Sequence, residues 1–249
     1  RYLSPAVKGY RERFQINGRE ITQSGLCKYL EPVKAAAEQM AAQGLAHPTL
    51  FEIETAVAFL YFLDKKCDLV VLETGLGGAL DATNVVNTTV AAVFASISMD
   101  HMDILGESLK EIALTKAGII KSKCYVISLK QDPEVMKILR QSALIKKAKF
   151  FTADISRAKR IRYGVTKQKF DYDKYKDLEI SMLGKFQIEN AVLAVETVLA
   201  LVRCGFKVPE EKLRQGLLQT RWHGRFDVIA KRPLFIADGA HNEDAAKKL

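Results

Sequence analysis

The sequence predicts an α/β protein with a mostly parallel sheet and helices on both faces, followed by the start of a second α/β domain. The runs at 69–72 and 90–97 are short and apolar on successive residues, as expected of strands covered on both sides. Helically spaced segments alternate with such runs, and two of them open with capping boxes, Thr49 with Glu52 and Ser108 with Glu111.

Taken in order, residues 1–5 read as the end of a strand entering a loop, with Pro5 holding Ser4 extended. Residues 11–16 and 19–21 flank Asn17-Gly18, the preferred two-residue hairpin turn, and form a flap. Leu26, Leu30, Val33, Ala37 and Met40 give residues 24–43 a helical period that Gly44 stops. A second helix, 50–65, buries Ile53, Val57, Leu60 and Tyr61 and leads into the run 69–72. That run delivers Glu73 to the carboxyl end of a strand, where open α/β sheets place their ligands. Gly75, Gly77 and Gly78 follow, permitting positive φ and close backbone approach. Strand 90–97 ends in Ser98-Met99-Asp100-His101, and a crossover between parallel strands brings Glu73 and His101 to the same sheet edge.

The helix opened by Ser108 ends near Ala117-Gly118, with Lys116 in its last turn, where a cation suits the helix dipole. Strand 123–129, helix 133–143 and strand 149–152 continue the alternation. Residues 157–176 read as a small basic hairpin region and 178–183 as a strand. Helix 188–203 carries Asn190 in its first turn, and helix 209–219 starts at Pro209. After the turn 221–226, strands 227–230 and 233–237 lead to Asp238-Gly239-Ala240-His241-Asn242. These last elements are too few for a core of their own, which places a boundary between domains 1–222 and 223–249, the second truncated.

Composition narrows the class. Of 249 residues, 48% are hydrophobic and 27% charged, the balance of a soluble globular protein. No apolar run approaches the roughly 20 residues that span a bilayer, and residues 1–10 lack the apolar core of a signal peptide. Cys27, Cys67, Cys124 and Cys204 have neither zinc-site nor disulfide-framework spacing, so reduced thiols in a cytoplasmic protein are expected. The net charge of +9 gathers at 146–147, 159–162 and 167–169. Without aromatic interleaving it reads as solvated charge that also suits an anionic small substrate, not as a nucleic-acid face.

Six motifs in order then carry a resemblance. They are Leu72-Glu73-Thr74-Gly75-Leu76-Gly77-Gly78 with Leu80-Asp81-Ala82-Thr83-Asn84, Met99-Asp100-His101 with Ile104-Leu105-Gly106, and Lys116-Ala117-Gly118-Ile119-Ile120-Lys121. Phe186-Gln187 with Glu189-Asn190-Ala191, Trp222-His223-Gly224-Arg225, and residues 238–242 complete the set. The chain resembles folylpolyglutamate synthase and dihydrofolate synthase, within the Mur ligase family of ATP-dependent amide-forming enzymes. The loop 80–84 favours the folate branch over the peptidoglycan one.

The resemblance implies a Mur ligase central domain, related to P-loop nucleotide-binding folds, that joins L-glutamate to a folate or dihydropteroate through an acyl phosphate. It implies ATP and magnesium, with Glu73 and His101 as metal ligands. Lys116 matches a position that is carbamylated in the family and is expected to be catalytic together with His241. Asn190, Arg225 and Asp238 match nucleotide-contacting positions, and Ser4, Pro5 and Asp81 would lie by the folate pocket. A monomer is expected. Two departures stand out: Ala6 follows Ser4-Pro5 where the family carries histidine, and no Gly-Lys-Ser phosphate loop occurs in these residues. The chain is therefore expected to be an inactive fragment of its parent. A Mur-type cell-wall ligase and a non-catalytic folded module are the alternatives.

Overall fold

In the computed structural model, which describes residues 1–99, 102–240 and 246–247, the chain divides into two units, Arg1–Asn87 and Thr88–Leu249. In the first, a 3-10 turn at Tyr10–Arg13 precedes a hairpin of β1 (Gln15–Ile16) and β2 (Arg19–Glu20). Asn17 and Gly18 both have positive φ, 50° and 78°, as the tight turn requires. Helix α1 (Gln23–Ala42) is capped by Thr22, whose side chain accepts from Gly25 N–H. Helix α2 (Leu50–Asp64) shows both arms of the Thr49–Glu52 capping box. Tyr29 and Val33 of α1 and Val57, Ala58, Tyr61 and Phe62 of α2 close on Tyr2, Phe14 and Ile21 to make this unit's core.

Residues 69–72 depart from expectation, because they form no regular strand. Leu72 makes one parallel bridge, to Tyr2, with Tyr2 N–H donating to Val71 O at 2.9 Å and Glu73 N–H to Tyr2 O at 3.0 Å. The segment that pairs with it turns away at Pro5, which has no N–H to continue a ladder. Burial on both faces fails as well, since Val71 is 65% exposed.

The second unit holds the parallel sheet. Strand β3 (Ala91–Phe94), shorter than the expected 90–97, is followed by α3 (Met102–Leu105), α4 (Leu109–Ala117), β4 (Tyr125–Leu129), α5 (Pro133–Ile145) and β5 (Lys149–Ala153). The strands pair in the order β3-β4-β5, all parallel, with Ala91 opposite Tyr125 and Tyr125 opposite Lys149. Three antiparallel strands come next, β6 (Ala158–Arg162), β7 (Gln168–Tyr172) and β8 (Tyr175–Ile180). They replace the expected hairpin at 157–176 and separate strand at 178–183. Asp173, at φ 53°, reverses the chain between Tyr172 and Tyr175 without a glycine or proline to mark the turn. Helix α6 (Lys185–Arg203) starts three residues earlier than expected, after Gly184 at φ 95°. Helix α7 (Glu210–Gln219) packs on β8, and β9 (Asp227–Lys231) pairs with β10 (Leu234–Ala237).

Strand β4 explains why both faces need helices. Ile127 and Leu129 share a core with Ile188, Val192 and Val195 of α6. Ser128, which alternation turns to the other face, places Oγ 3.8 Å from Met136 Sδ of α5. The predicted α/β architecture is therefore present, with α6 and α5 on opposite sides of the sheet. Polar ties join the antiparallel sheet to the same helix. Tyr172 Oη donates to Glu196 Oε1 at 2.8 Å and Arg157 Nη1 donates to the same oxygen at 2.9 Å. Burial first, and then Glu196, push the Tyr172 phenol up. Much of the basic run at 159–169 is paired, Arg160 with Asp171 and both Lys167 and Lys169 with Glu179.

Ile127 is fully buried, so Ile127→Ala is expected to cost about 2–5 kcal/mol in chemical denaturation. Hydrogen bonds from Arg160, and then from Asp177 N–H, hold the Asp171 carboxyl well below the usual carboxylate range. A depressed folded-state value gives stability that is complete above the unfolded pKa and lost as pH falls through the folded one. Urea midpoints of Asp171→Asn should therefore fall less steeply than wild type as pH drops below about 4.

Candidate active site

In the first unit the Gly-rich loop is built around a carboxylate. Asp81 is 9% exposed; its Oδ2 accepts from Leu76 N–H at 2.8 Å, and its Oδ1 accepts from both the N–H and the hydroxyl of Thr83. It also caps the 3-10 turn Ala82–Val85. A Cβ at Gly75 would lie 2.5 Å from Phe51 Cζ and 3.1 Å from Asp81 Oδ2, so any larger residue there would have to displace the Phe51 ring. Gly77 sits at φ 69°, which favours glycine again. The glycines thus serve loop closure, and Leu80 is left 99% exposed at the tip.

Glu73 meets a residue far away in sequence. Ser4 N–H donates to Glu73 Oε2 at 2.9 Å, so two of the expected site residues are in direct contact. Pro5 follows across a cis peptide. The Glu73 carboxylate is otherwise exposed.

In the second unit a cleft of about 370 Å³ opens at the carboxyl ends of β3 and β4, the usual ligand position of a parallel sheet. Ser96, Ile97, Ser98, Lys130, Asp132 and Glu189 are among its lining residues. Gln131 pins the two strand ends together: its Nε2 donates to Ala95 O at 3.1 Å and Ser128 Oγ at 2.9 Å, and its Oε1 accepts from Ile97 N–H at 2.7 Å. Sequence reasoning missed this glutamine. A polar residue two positions past a buried strand was the available signal, yet loops carry many such residues. Asn190 is exposed in the second turn of α6, not the first as expected, because the helix begins at Lys185; it donates to Gln187 Oε1 at 3.1 Å, beside the cleft residue Glu189. Lys116 lies half-buried in the last turn of α4.

Arg225 and Asp238 come together in the same unit. Asp238 accepts from Phe226 N–H and Ala240 N–H, both at 2.7 Å, tying the turn at 224–226 to the one at 238–240. Arg225 covers Gly239, where a Cβ would fall 2.6 Å from Arg225 Nη1. His101 and His241 lie outside the described residues.

With this geometry in place, comparison with known proteins defines the class. Residues 29–198 match the Mur ligase middle domain, and the chain belongs to the Mur ligase family. It is 34% identical to the dihydrofolate synthase/folylpolyglutamate synthase of Bacillus subtilis over all of this chain and 59% of that protein. Identity to the enzyme of the same name from Escherichia coli is also 34%, over all of this chain and 55% of that protein. A solved folylpolyglutamate synthase complex with AMPPCP and folate superposes with a TM-score of 0.91 at 28% identity, covering 99% of this chain and 62% of the other. The Thermotoga maritima folylpolyglutamate synthase gives 0.84 at 31% identity, covering 99% and 57%. The chain thus spans a little over half the length of each of these four relatives.

Among the described residues no group of three or more His, Cys, Asp and Glu side chains could hold a metal ion. That excludes an all-protein cage built from them, but magnesium commonly takes one or two carboxylates plus substrate phosphates and water. An exposed carboxylate fixed through one oxygen, as Glu73 is, fits that mode.

Replacing Asp81 tests the loop. Asp81→Ala leaves the Leu76 and Thr83 amides without their acceptor and is expected to cost about 1–3 kcal/mol in urea unfolding, whereas Asp81→Asn should retain part of that stability.

Proposed function

We propose that the full-length protein ligates L-glutamate to a folate or to dihydropteroate, converting ATP to ADP and phosphate. The observation that carries the reading is full-length alignment of this chain with enzymes named for those activities. Likeness to a complex holding AMPPCP and folate supports it. In this reading the γ-phosphoryl group passes to the acceptor carboxylate, ADP departs, and the glutamate amine displaces phosphate from the acyl phosphate while losing a proton. Bound magnesium supplies charge neutralisation at the phosphates.

The chain's own residues have distinct tasks. Glu73, with His101, holds the metal, and the Ser4 amide fixes the direction of the Glu73 carboxylate. Ser4, Pro5 and Asp81 shape the acceptor side, Asp81 by holding its loop. Asn190, Arg225 and Asp238 hold the nucleotide, the last by setting the turn that carries Arg225. Lys116 and His241 are the proposed catalytic groups, with carbamylation of Lys116 part of the proposal.

Residues 223–249 are proposed as the start of a separate domain, supported by the pairing of β9 and β10 with each other. A cytoplasmic monomer is proposed too, the four free cysteines suiting a reducing compartment. These 249 residues alone, holding no Gly-Lys-Ser loop, are proposed not to turn over ATP.

Phosphate release by the full-length protein, dependent on both glutamate and a pteroate or folate acceptor, tests the reading, and no acceptor-dependent release would sink it. Glu73→Gln should lower that rate at least about a hundredfold, equivalent to roughly 3 kcal/mol of transition-state stabilisation.

A further inference from the structure

A second carboxylate in the first unit also grips backbone amides, and neither the family motifs nor the ligase reading uses it. Glu12 lies in the 3-10 turn Tyr10–Arg13 and is only 7% exposed. Its Oε2 accepts from Val7 N–H and Lys8 N–H, both at 2.9 Å. Those amides belong to the loop that begins with Ser4, whose own N–H holds Glu73.

The turn carrying Glu12 is itself anchored. Arg13 Nη1 lies 3.2 Å from Glu54 Oε2, and the Glu54 side chain is 2% exposed on α2. The Arg13 carbonyl accepts from Leu3 N–H at 3.2 Å, and the Glu12 carbonyl from Gln15 Nε2 at 3.0 Å. Among the described residues, Arg13 Nε and Glu54 Oε1 are buried without hydrogen-bond partners. A buried pair so incompletely satisfied adds little stability over an apolar pair, and fixing register is the best-attested use of such pairs.

The loop is thus clamped at residue 3 by Arg13, at residue 4 by Glu73, and at residues 7 and 8 by Glu12. Pro5 and Ala6 are left at its apex. Fixing one backbone residue costs about 1–2 kcal/mol in entropy, so a clamp made before binding spares the ligand that cost.

We infer that Glu12 is a positioning residue that pre-orders residues 4–8, and with them the Ser4–Glu73 contact, for the carboxylate acceptor; the acceptor's identity rests on the ligase reading above. Glutamine keeps an acceptor oxygen where alanine does not, so the two variants separate clamping from mere occupancy.

The experiment uses the full-length protein as wild type, Glu12→Gln and Glu12→Ala, with two readouts. Site-resolved amide exchange at Ser4, Val7 and Lys8 should accelerate at least about tenfold in Glu12→Ala and stay within about threefold of wild type in Glu12→Gln. Unchanged exchange at Ser4 in Glu12→Ala overturns the inference, whatever the enzyme acts on. In steady-state turnover Glu12→Ala should raise the acceptor KM about tenfold with kcat within about twofold, and Glu12→Gln should largely restore KM. A fall in kcat at constant KM, or equal damage from both variants, also overturns it. Wild type without acceptor-dependent turnover refutes the ligase reading instead, and the exchange experiment still decides the role of Glu12.

Discussion

Burial of β4 on both faces is the constraint on which the second unit depends. A parallel strand cannot turn one side to water in this architecture, because each crossover brings a helix back over the sheet. Ile127 and Leu129 therefore need α6, and Ser128 meets α5. Once both crossovers are made, the chain ends of β3 and β4 emerge at one edge. Gln131 then joins them by accepting from Ile97 N–H and donating to Ala95 O and Ser128 Oγ. The cleft beside it follows from the strand geometry, and its polar lining follows from the loops that leave the strands.

The first unit solves a different problem, that of giving shape to loops with little regular structure. Carboxylates do this repeatedly: Asp81 gathers the amides of Leu76 and Thr83, Glu12 those of Val7 and Lys8, and Glu73 that of Ser4. An ionised carboxylate is a stronger acceptor than a carbonyl, and one such group can orient two backbone segments. The Lys8 and Val7 amides hold the Glu12 carboxyl below its ordinary range, the Lys8 amide most strongly and against an opposing effect of burial. Near neutral pH the clamp is thus in its charged, binding form. In the second unit Asp238 applies the same device to the turns that carry Arg225 and Gly239.

Much of this was legible from residues alone. The capping boxes at Thr49 and Ser108 form as read, since caps depend on residues three apart. The Asn17-Gly18 hairpin and the α/β alternation are equally local, as is Glu73 at the entrance to a glycine loop. Resemblance supplied the family, because its motifs are short, ordered and rich in residues with special backbone needs. Residues 69–72 were misread as a doubly buried strand, for apolar composition says nothing about whether a neighbour supplies a ladder. The antiparallel sheet β6-β7-β8 was read as one hairpin and a stray strand, because its turn at Asp173 uses a positive φ that the residue types do not announce.

By itself, then, the sequence determined most element types, the starts of the helices with capping boxes and the identity of the groups able to do chemistry. These depend on neighbours a few positions away. Only the tertiary structure decided that Glu73 touches Ser4 across 69 positions, that both Asp81 oxygens are occupied within their own loop, and that Gln131 and Glu12 each bind two backbone groups. The Ser4 amide reaches Glu73 through packing that no local spacing encodes, whereas the amides around Asp81 and Glu12 are near in sequence and are turned inward by loop conformations that the residue types do not announce.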